Sequence, residues 1–307
     1  MDFTSTAKMF SGKFLSVLRV RRNAGGLEVS DEALRFAYYD GGLWRLQTLR
    51  LAPGIVVDGR IKNKEAFHAV LLELKSEIFG GNATKKTVNM VASFSSTNVY
   101  SQVFSLPLLE GAGLERAVGL NIQMISPGNV SDMYTDWQIL ARNDTTGQSD
   151  FLSVFIDRAI VDEMTKAFSE VGFVAMAIES KALVLTRMLR ENTNKMDSAK
   201  SYVAISIDNA GVNFLIIRNG KLYFEYVNHW RDLANEKGQI SMEMFTATVE
   251  KSTHQVMNFY GQHWSDPVSG IFIISSAFYE ETRAAVALST SVPVIPYAIS
   301  FGGQEIS

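Results

Sequence analysis

Apolar positions along the chain fall into two textures that alternate in a fixed order. Over Ala33–Tyr39 the residues Leu34, Phe36 and Tyr38 recur every second position, the period that lines one face of a β-strand. Gly26–Val29 reads as a shorter strand before it and Leu43–Leu51 as another after it. Asp40-Gly41 lies between the last two and predicts a tight hairpin, because such turns need residues that accept positive φ. The period then lengthens. Phe67, Val70, Leu71, Leu74 and Ile78 follow helical spacing, with Asn63 placed to cap the start and Gly80 to end the helix, and a buried strand is predicted at Thr87–Phe94. The same order returns in the second half: strands at Tyr202–Asp208, Val212–Arg218 and Leu222–Val227, with Asn219-Gly220 as the second hairpin turn. A helix over about Ser241–Tyr260 follows, with Phe245, Val249, Val256 and Phe259 on one stripe and Gly261 as its expected stop. Strand Gly270–Ser275, helix Tyr279–Leu288 and strand Val292–Pro296 complete the repeat. An internal duplication of one α/β unit is the economical reading.

The first copy carries extra material. Strand Val99–Leu106, helix Leu114–Ile125, strands Asp132–Ala141 and Phe151–Phe155, and helix Arg158–Val171 can close a small core of their own. In the last of these, Asp157 is the expected N-cap, Ile160, Met164, Phe168 and Val171 face inward, and Gly172 ends the helix. A further helix, Ser180–Glu191, leads into the polar stretch Asn192–Lys200, read as the hinge between halves. The expected organisation is an N-terminal segment 1–24, a first domain formed by 25–94 plus 175–200, an inserted subdomain 95–174 and a second domain 201–307.

The segment Met1–Asn23 is different in kind. Lys8, Lys13, Arg19, Arg21 and Arg22 stand against Asp2 alone, while Phe10, Phe14, Val17 and Leu18 recur at helical spacing. Such a basic amphipathic stretch suits an anionic membrane surface, a helix packed on the body of the protein, or a frayed arm.

Composition narrows the function classes. With 307 residues, 47% hydrophobic and 20% charged, the chain buries a substantial core, and disorder is excluded as its main state. A net charge of −3 offers no basic footprint for nucleic acid. The absence of cysteine removes disulfides, thiolate metal sites and thiol nucleophiles. No apolar run approaches the ~18 residues of a membrane span, and the N-terminus lacks a secretory-signal pattern, so the expected location is cytoplasmic. His68, His229, His254 and His263 show no metal-ligand spacing, so no metal site is predicted. His68 reads as a packing residue, and His229-Trp230 and His263-Trp264 as packing aromatics or a recognition surface. No nucleophile elbow, phosphate-binding Gly-Lys-Ser/Thr loop or His-Glu-x-x-His motif occurs, and no catalytic residue is assigned.

Several strings, in order, resemble the PilM family of actin-like type IV pilus assembly proteins, relatives of FtsA. Leu51-Ala-Pro-Gly-Ile-Val-Val-Asp-Gly-Arg-Ile-Lys62 is similar to the segment before that family's first long helix. Ser105-Leu-Pro107, Ile125-Ser-Pro127 and Asp136-Trp-Gln-Ile-Leu140 resemble its inserted subdomain, and Ala177-Ile-Glu-Ser-Lys-Ala182 its return into the first domain. The resemblance spans about residues 25–300 and implies an α/β actin-like fold: two ribonuclease-H-like domains, with an FtsA-type subdomain inserted in the first.

In that family two hairpin turns and a late Gly-Gly turn bind ATP and Mg²⁺, because phosphate oxygens need approachable backbone N–H groups and the metal needs a carboxylate. At the first turn, Gly26-Leu-Glu-Val-Ser-Asp-Glu-Ala-Leu-Arg35, the resemblance puts Glu28 at the family's metal-side Asp, Ser30 at a Gly, Asp31 and Glu32 at hydroxyl residues and Arg35 at a Lys. At the second, Ser206 takes the Asp position, Asp208 a Gly position, and Gly211 alone is kept. At the third, Ser275 and Ser276 stand for the paired glycines. All three depart from the pattern, so ATP binding is expected to be lost or much weakened, and no cofactor is assigned. Asp31 and Asp208 read as turn formers, while for Glu28 a turn role and a metal-side role stay open.

The resemblance implies a cytoplasmic scaffold peripheral to the inner membrane, in a type IV pilus or type II secretion-like platform. The implied partner is the N-terminal cytoplasmic peptide of a single-span inner-membrane protein, held as an extended segment. Carried onto this chain, its site involves Asn98, Tyr100, Gln102, Phe104, Leu114 and Val118. The alternative is a nucleotide-binding actin-like ATPase or switch. After Val292–Pro296 the family continues into a further helix, whereas Tyr297–Ser307 remain here, and homo-oligomerisation is the expected consequence of an uncovered second sheet.

Overall fold

A computed structural model of the chain describes residues 24–40, 43–81, 86–192, 195–208, 210–234, 239–275, 277–297, 299–301 and 304–306. The basic segment Met1–Asn23, Gly41 and Ser276 lie outside the described residues.

The hairpin signals and the change of period are realised as two sheets of the same design. The first sheet contains β1 (Ala24–Val29), β2 (Ala33–Asp40), β3 (Leu43–Arg50), β6 (Val88–Phe94) and β10 (Phe173–Ser180) in the order β3-β2-β1-β6-β10. The second contains β11 (Ser201–Asp208), β12 (Gly211–Arg218), β13 (Lys221–His229), β14 (Val268–Ile274) and β15 (Val294–Ile295) in the order β13-β12-β11-β14-β15. Both therefore run third, second, first, fourth, fifth. Helix α1 (Lys64–Phe79) follows β3 as α6 (Met242–His263) follows β13, and α3 (Arg158–Glu170) precedes β10 as α7 (Tyr279–Ser289) precedes β15. The extra material falls between β6 and α3: β7 (Val99–Pro107), α2 (Gly111–Ile125), β8 (Met133–Asn143) and β9 (Gln148–Asp157), forming a three-stranded sheet β7-β9-β8. Helices α4 (Lys181–Asn192) and α5 (Trp230–Leu233), a 3-10 turn at Val130–Asp132 and the short hairpins β4–β5 (Val56–Val57, Arg60–Ile61) and β16–β17 (Ile299–Phe301, Gln304–Ile306) complete the described elements.

The chain divides into two compact units, cut differently from the boundaries read in the sequence. One holds Met1–Ser93 and Asp162–Glu179; the other holds Phe94–Val161 and Ser180–Ser307. In chain order the three-stranded sheet remains an insertion between strands of the first sheet, yet it clusters with the second unit. Lys221 explains part of this, since its ammonium donates to the carbonyls of Ile139 and Leu140. Leu140 and Leu152 also join the apolar core of the second sheet.

In the first unit, α1 begins where Asn63 accepts from the Ala66 N–H and ends at Gly80 with φ 60°. It buries Phe67, Leu71, Leu74 and Ile78. Lys75 is also buried there, its ammonium donating to the Val171 carbonyl beyond the end of α3, and burial lowers its pKa. Carbonyls at a helix end have no partner within the helix, and the ammonium supplies one here. In the second unit every residue of β12 from Gly211 to Ile217 is buried, and α6 fills one side with Phe245, Val249, Val256 and Tyr260. Gly261 does not end this helix as expected: α6 continues to His263, and the Trp264 N–H bonds the Tyr260 carbonyl. A glycine stops a helix where the chain must turn left-handed, but Trp264 leaves α6 in extended conformation. Among the described residues, no helix is long and apolar enough to cross a membrane.

Candidate functional site

At each described turn the local sequence supplies its own closure. In the first unit, β1 and β2 pair so that Glu28 stands opposite Arg35, and their side chains meet at 3.2 Å across the hairpin. Ser30 closes the turn itself: its hydroxyl donates to the Ala33 carbonyl at 3.0 Å and accepts from the Ala33 N–H at 3.1 Å. Asp31 points elsewhere, its carboxylate accepting from the N–H groups of Asp58 and Gly59 at 2.7 and 2.8 Å. Those two residues have φ of 50° and 67° and form the β4–β5 turn, so Asp31 pins one hairpin to another.

In the second unit the β11–β12 turn is organised by Asp208. One carboxylate oxygen accepts from the N–H groups of Ala210 and Gly211 at 2.7 and 3.3 Å, a side-chain-closed turn of the type Asp favours. The other oxygen lies 2.8 Å from the Lys181 ammonium at the start of α4 and 3.4 Å from the Asn213 amide nitrogen. Both partners of the ion pair are largely buried, at 19% and 14% side-chain exposure, so the charges stand in a site where partnership matters. Ser206 is buried within β11. Gly211 owes its identity to strand packing: at φ 151°, a Cβ would meet the Asn228 carbonyl oxygen at 1.9 Å.

The third turn follows β14. Ser275 accepts from the Ala277 N–H at 3.1 Å and donates to the Ala277 carbonyl. Phe278, in left-handed conformation at φ 60°, starts α7 without a side-chain cap. Its ring lies 5.2 Å from that of Phe245, which lies 6.2 Å from Trp230, whose indole N–H donates to the Asp208 carbonyl at 2.6 Å. Aromatic side chains thus link the third turn to the second. This series is invisible to motif reading because its members come from three separate elements.

The recognition-surface reading of the two His-Trp pairs gives way to packing for the tryptophans. Trp230 belongs to the aromatic series, while Trp264 packs tilted against Tyr260 and edge-on to Tyr223 and receives the Arg218 guanidinium 4.8 Å from its ring. Arg218 is held in turn by Asp266, which also accepts from Ser201 and Tyr260, each at 2.6 Å. Those hydrogen bonds outweigh the effect of burial and bring the Asp266 carboxyl down to about 2. Among the described residues, no group of three or more His, Asp or Glu is placed to hold a metal ion.

The residues assigned to partner binding separate into two sets. Phe104, Leu114 and Val118 join the core between the three-stranded sheet and α2, with Phe104 stacked on Phe151 at 5.4 Å. Val118 is 1% exposed, which corrects its assignment as a contact residue: a partner reaches it only by opening that core. Tyr100 is exposed and its hydroxyl donates to Gln102, while Asn98 lies in the turn before β7, bonded to Ser95 through its N–H and to Thr97 through its side chain. Those three remain within reach of a partner.

No family model matches the chain, and no curated protein matches its sequence. Among solved structures it is similar to the PilM-PilN type IV pilus biogenesis complex, with 14% identity, a TM-score of 0.69, and 89% of this chain and 88% of that chain covered. Fainter likenesses are to the cytoplasmic domain of EpsL, an inner membrane component of the type II secretion system of Vibrio cholerae (8% identity, TM-score 0.48, covering 87% of this chain and 96% of that one), and to a Bacteroides thetaiotaomicron protein with an actin-like ATPase fold (9%, 0.47, 89% and 91%). Taken with the sheet order repeated in both units, the first of these likenesses gives the chain a PilM-like, actin-like α/β fold.

Proposed function

We propose that this chain is a scaffold component of a type IV pilus or related secretion platform, which binds the cytoplasmic tail of an inner-membrane protein without hydrolysing ATP. The fold shared along 89% of the chain with the PilM-PilN complex supports the assembly role. The observation that carries the rest is the occupancy of the turn N–H groups. A phosphate-binding turn must leave such donors open to the ligand. Here Ser30 takes the N–H of Ala33, Asp208 those of Ala210 and Gly211, and Ser275 that of Ala277. The Asp208 carboxylate also adds negative charge beside any bound anion. On this reading Glu28 and Asp208 are structural, each held by a cation of its own unit, Arg35 and Lys181. Exposed Tyr100 and half-buried Gln102 on β7 are the candidates for the tail, which docks there as an extended segment.

Thermal unfolding with and without Mg-ATP tests the nucleotide half. A ligand at 100-fold over its Kd adds about 2.7 kcal/mol, a rise of several degrees for a chain of this size. No rise is expected at millimolar Mg-ATP, and a clear one favours the ATPase or switch reading. For the partner half, a synthetic N-terminal tail of a bitopic pilus-assembly protein is titrated against the chain and its Tyr100→Ala variant. Loss of affinity in the variant is expected; tight binding that ignores Tyr100 removes β7 from the site.

A further inference from the structure

Sheet edges expose main-chain donors and acceptors, and proteins usually guard them. The edge strand β8 is guarded along its length: Arg158 donates to the Met133 carbonyl, Asp136 accepts from the Trp137 N–H, and Lys221 donates to the Ile139 carbonyl. The edge strand β3 of the first sheet is built otherwise. Among the described residues no strand pairs beyond it. Its register against β2 runs unbroken from Ala33↔Arg50 to Asp40↔Leu43, and it contains no Pro and no Lys. Two hydrogen bonds fix which way its main chain points. The Ser30 N–H bonds the Ala33 carbonyl on the β1 side of β2, and the Leu51 N–H bonds the Glu32 carbonyl on the β3 side. By alternation, Arg45, Gln47 and Leu49 turn their main-chain groups toward β2, while those of Leu46 and Thr48 point away from the sheet. The side chains are apolar where a guarded edge would be charged: Leu46 is 68% exposed and Leu43 72%, with the Trp44 ring 5.2 Å from that of Tyr39 beside them.

We propose that β3 is the contact edge of a symmetric dimer, pairing antiparallel with β3 of a second copy about a two-fold axis at Leu46. An edge that pairs with its own copy must be self-complementary, and Leu43–Arg50 is so in this register. Leu46 meets Leu46 of the second copy, and both their N–H groups and carbonyls point across the axis. Exposed Leu43 meets Leu49 of the second copy, and Trp44 meets Thr48, each twice by symmetry. Arg45 comes opposite Gln47 of the second copy, whose amide donates to Glu77, so each arginine is set beside the other copy's glutamate. Neighbouring registers do worse. Centred one residue earlier, Arg45 faces Arg45, a like-charge pair; centred one later, Arg45 faces Leu49 and Leu46 faces Thr48.

The chain has no cysteine, so single cysteines report the register. Leu46→Cys puts two thiols at the axis, on Cα atoms about 5.5 Å apart in a hydrogen-bonded pair, within the span of a disulfide. Thr48→Cys sets them four residues apart along the strands, about 13 Å and out of reach. On mild oxidation of the full chain, covalent dimer is expected at least tenfold faster from Leu46→Cys than from Thr48→Cys. By sedimentation the native chain is expected to pass from monomer to dimer as its concentration rises. Leu46→Pro removes an outward N–H and spares the ladder to β2, so it is expected to stay monomeric with its circular dichroism unchanged. If that proline disturbs the sheet, Leu46→Lys sets two ammonium groups at the axis and is expected to give the same monomer. Equal oxidation at positions 46 and 48, a native chain monomeric at every concentration, or a dimer that survives both Leu46 substitutions overturns the proposal. Oxidation at position 46 that is blocked by anionic phospholipid vesicles, or by a synthetic tail of a bitopic pilus-assembly protein, gives the edge to that occupant and overturns it too.

Discussion

Glu225 offers the sharpest test of how the inserted sheet is joined to the second sheet. It sits on β13 where that strand runs beside β7. One carboxylate oxygen accepts from the Ser101 hydroxyl at 3.3 Å, and the other is buried. Burial raises its pKa from 4.5 to about 7, with the charge of Asp208 pushing the same way and hydrogen bonds from Ser96 and Ser101 opposing. Folding therefore takes up a proton between those two values. The carboxyl contributes its full stability below about 4.5, loses it as pH climbs toward 7, and contributes nothing further above that. The gap corresponds to about 3 kcal/mol. Glu225→Gln keeps the size and the hydrogen-bonding oxygen but cannot ionise. By thermal unfolding, the variant is expected to exceed the native chain by several degrees at pH 8, and the two midpoints to converge by pH 5. A midpoint difference that is the same at both pH values, or a variant less stable at pH 8, refutes the account of Glu225 as a carboxylate ionised against its surroundings.

Two further substitutions probe the β11–β12 turn. Asp208→Asn retains an oxygen for the Ala210 and Gly211 N–H groups but loses the charge facing Lys181, and is expected to cost about 2 kcal/mol; Asp208→Ala also frees those donors and should cost about 1 kcal/mol more. Equal midpoints for the two variants would show that the turn bonds add nothing. Gly211→Ala drives a Cβ into the Asn228 carbonyl and is expected to cost about 3 kcal/mol or more, read as a large drop in unfolding midpoint, whether or not nucleotide is present.

The duplicated order of strands and helices was legible because it rests on local signals: period, caps and turn residues. Asn63 and Gly80 do bound α1, and Asn219-Gly220 does turn left-handed between β12 and β13, with φ of 49° and 67°. What escaped was whatever depends on residues remote in sequence. Gly261 looked like a helix stop because glycine often is one, but only the extended departure of Trp264 decides where α6 ends. Val118 has the same apolar character as an exposed contact residue, and its burial depends on Phe151 and Phe155 arriving from β9. Lys75 carries a charge on an otherwise apolar stripe; its burial becomes intelligible once the Val171 carbonyl lies 2.7 Å away.

On the function proposed above, the three turns belong to a nucleotide-binding frame that keeps its shape without a ligand. At these turns Ser and Asp do more than add bulk. Each new oxygen sits on backbone donors of its own turn, at 3.1 Å for Ser30, 2.7 and 3.3 Å for Asp208 and 3.1 Å for Ser275. An incoming phosphate would have to displace bonds worth about 1 kcal/mol each, against side chains already held in place. Within the second unit, the three bonds made by Asp208 and Ser275 amount to about 3 kcal/mol, about two powers of ten in affinity, before repulsion from Asp208 is counted. The same bonds keep the hairpins closed in the absence of nucleotide. A scaffold of the proposed kind gains from that arrangement, because its two sheets then need no bound ligand to keep their turns formed.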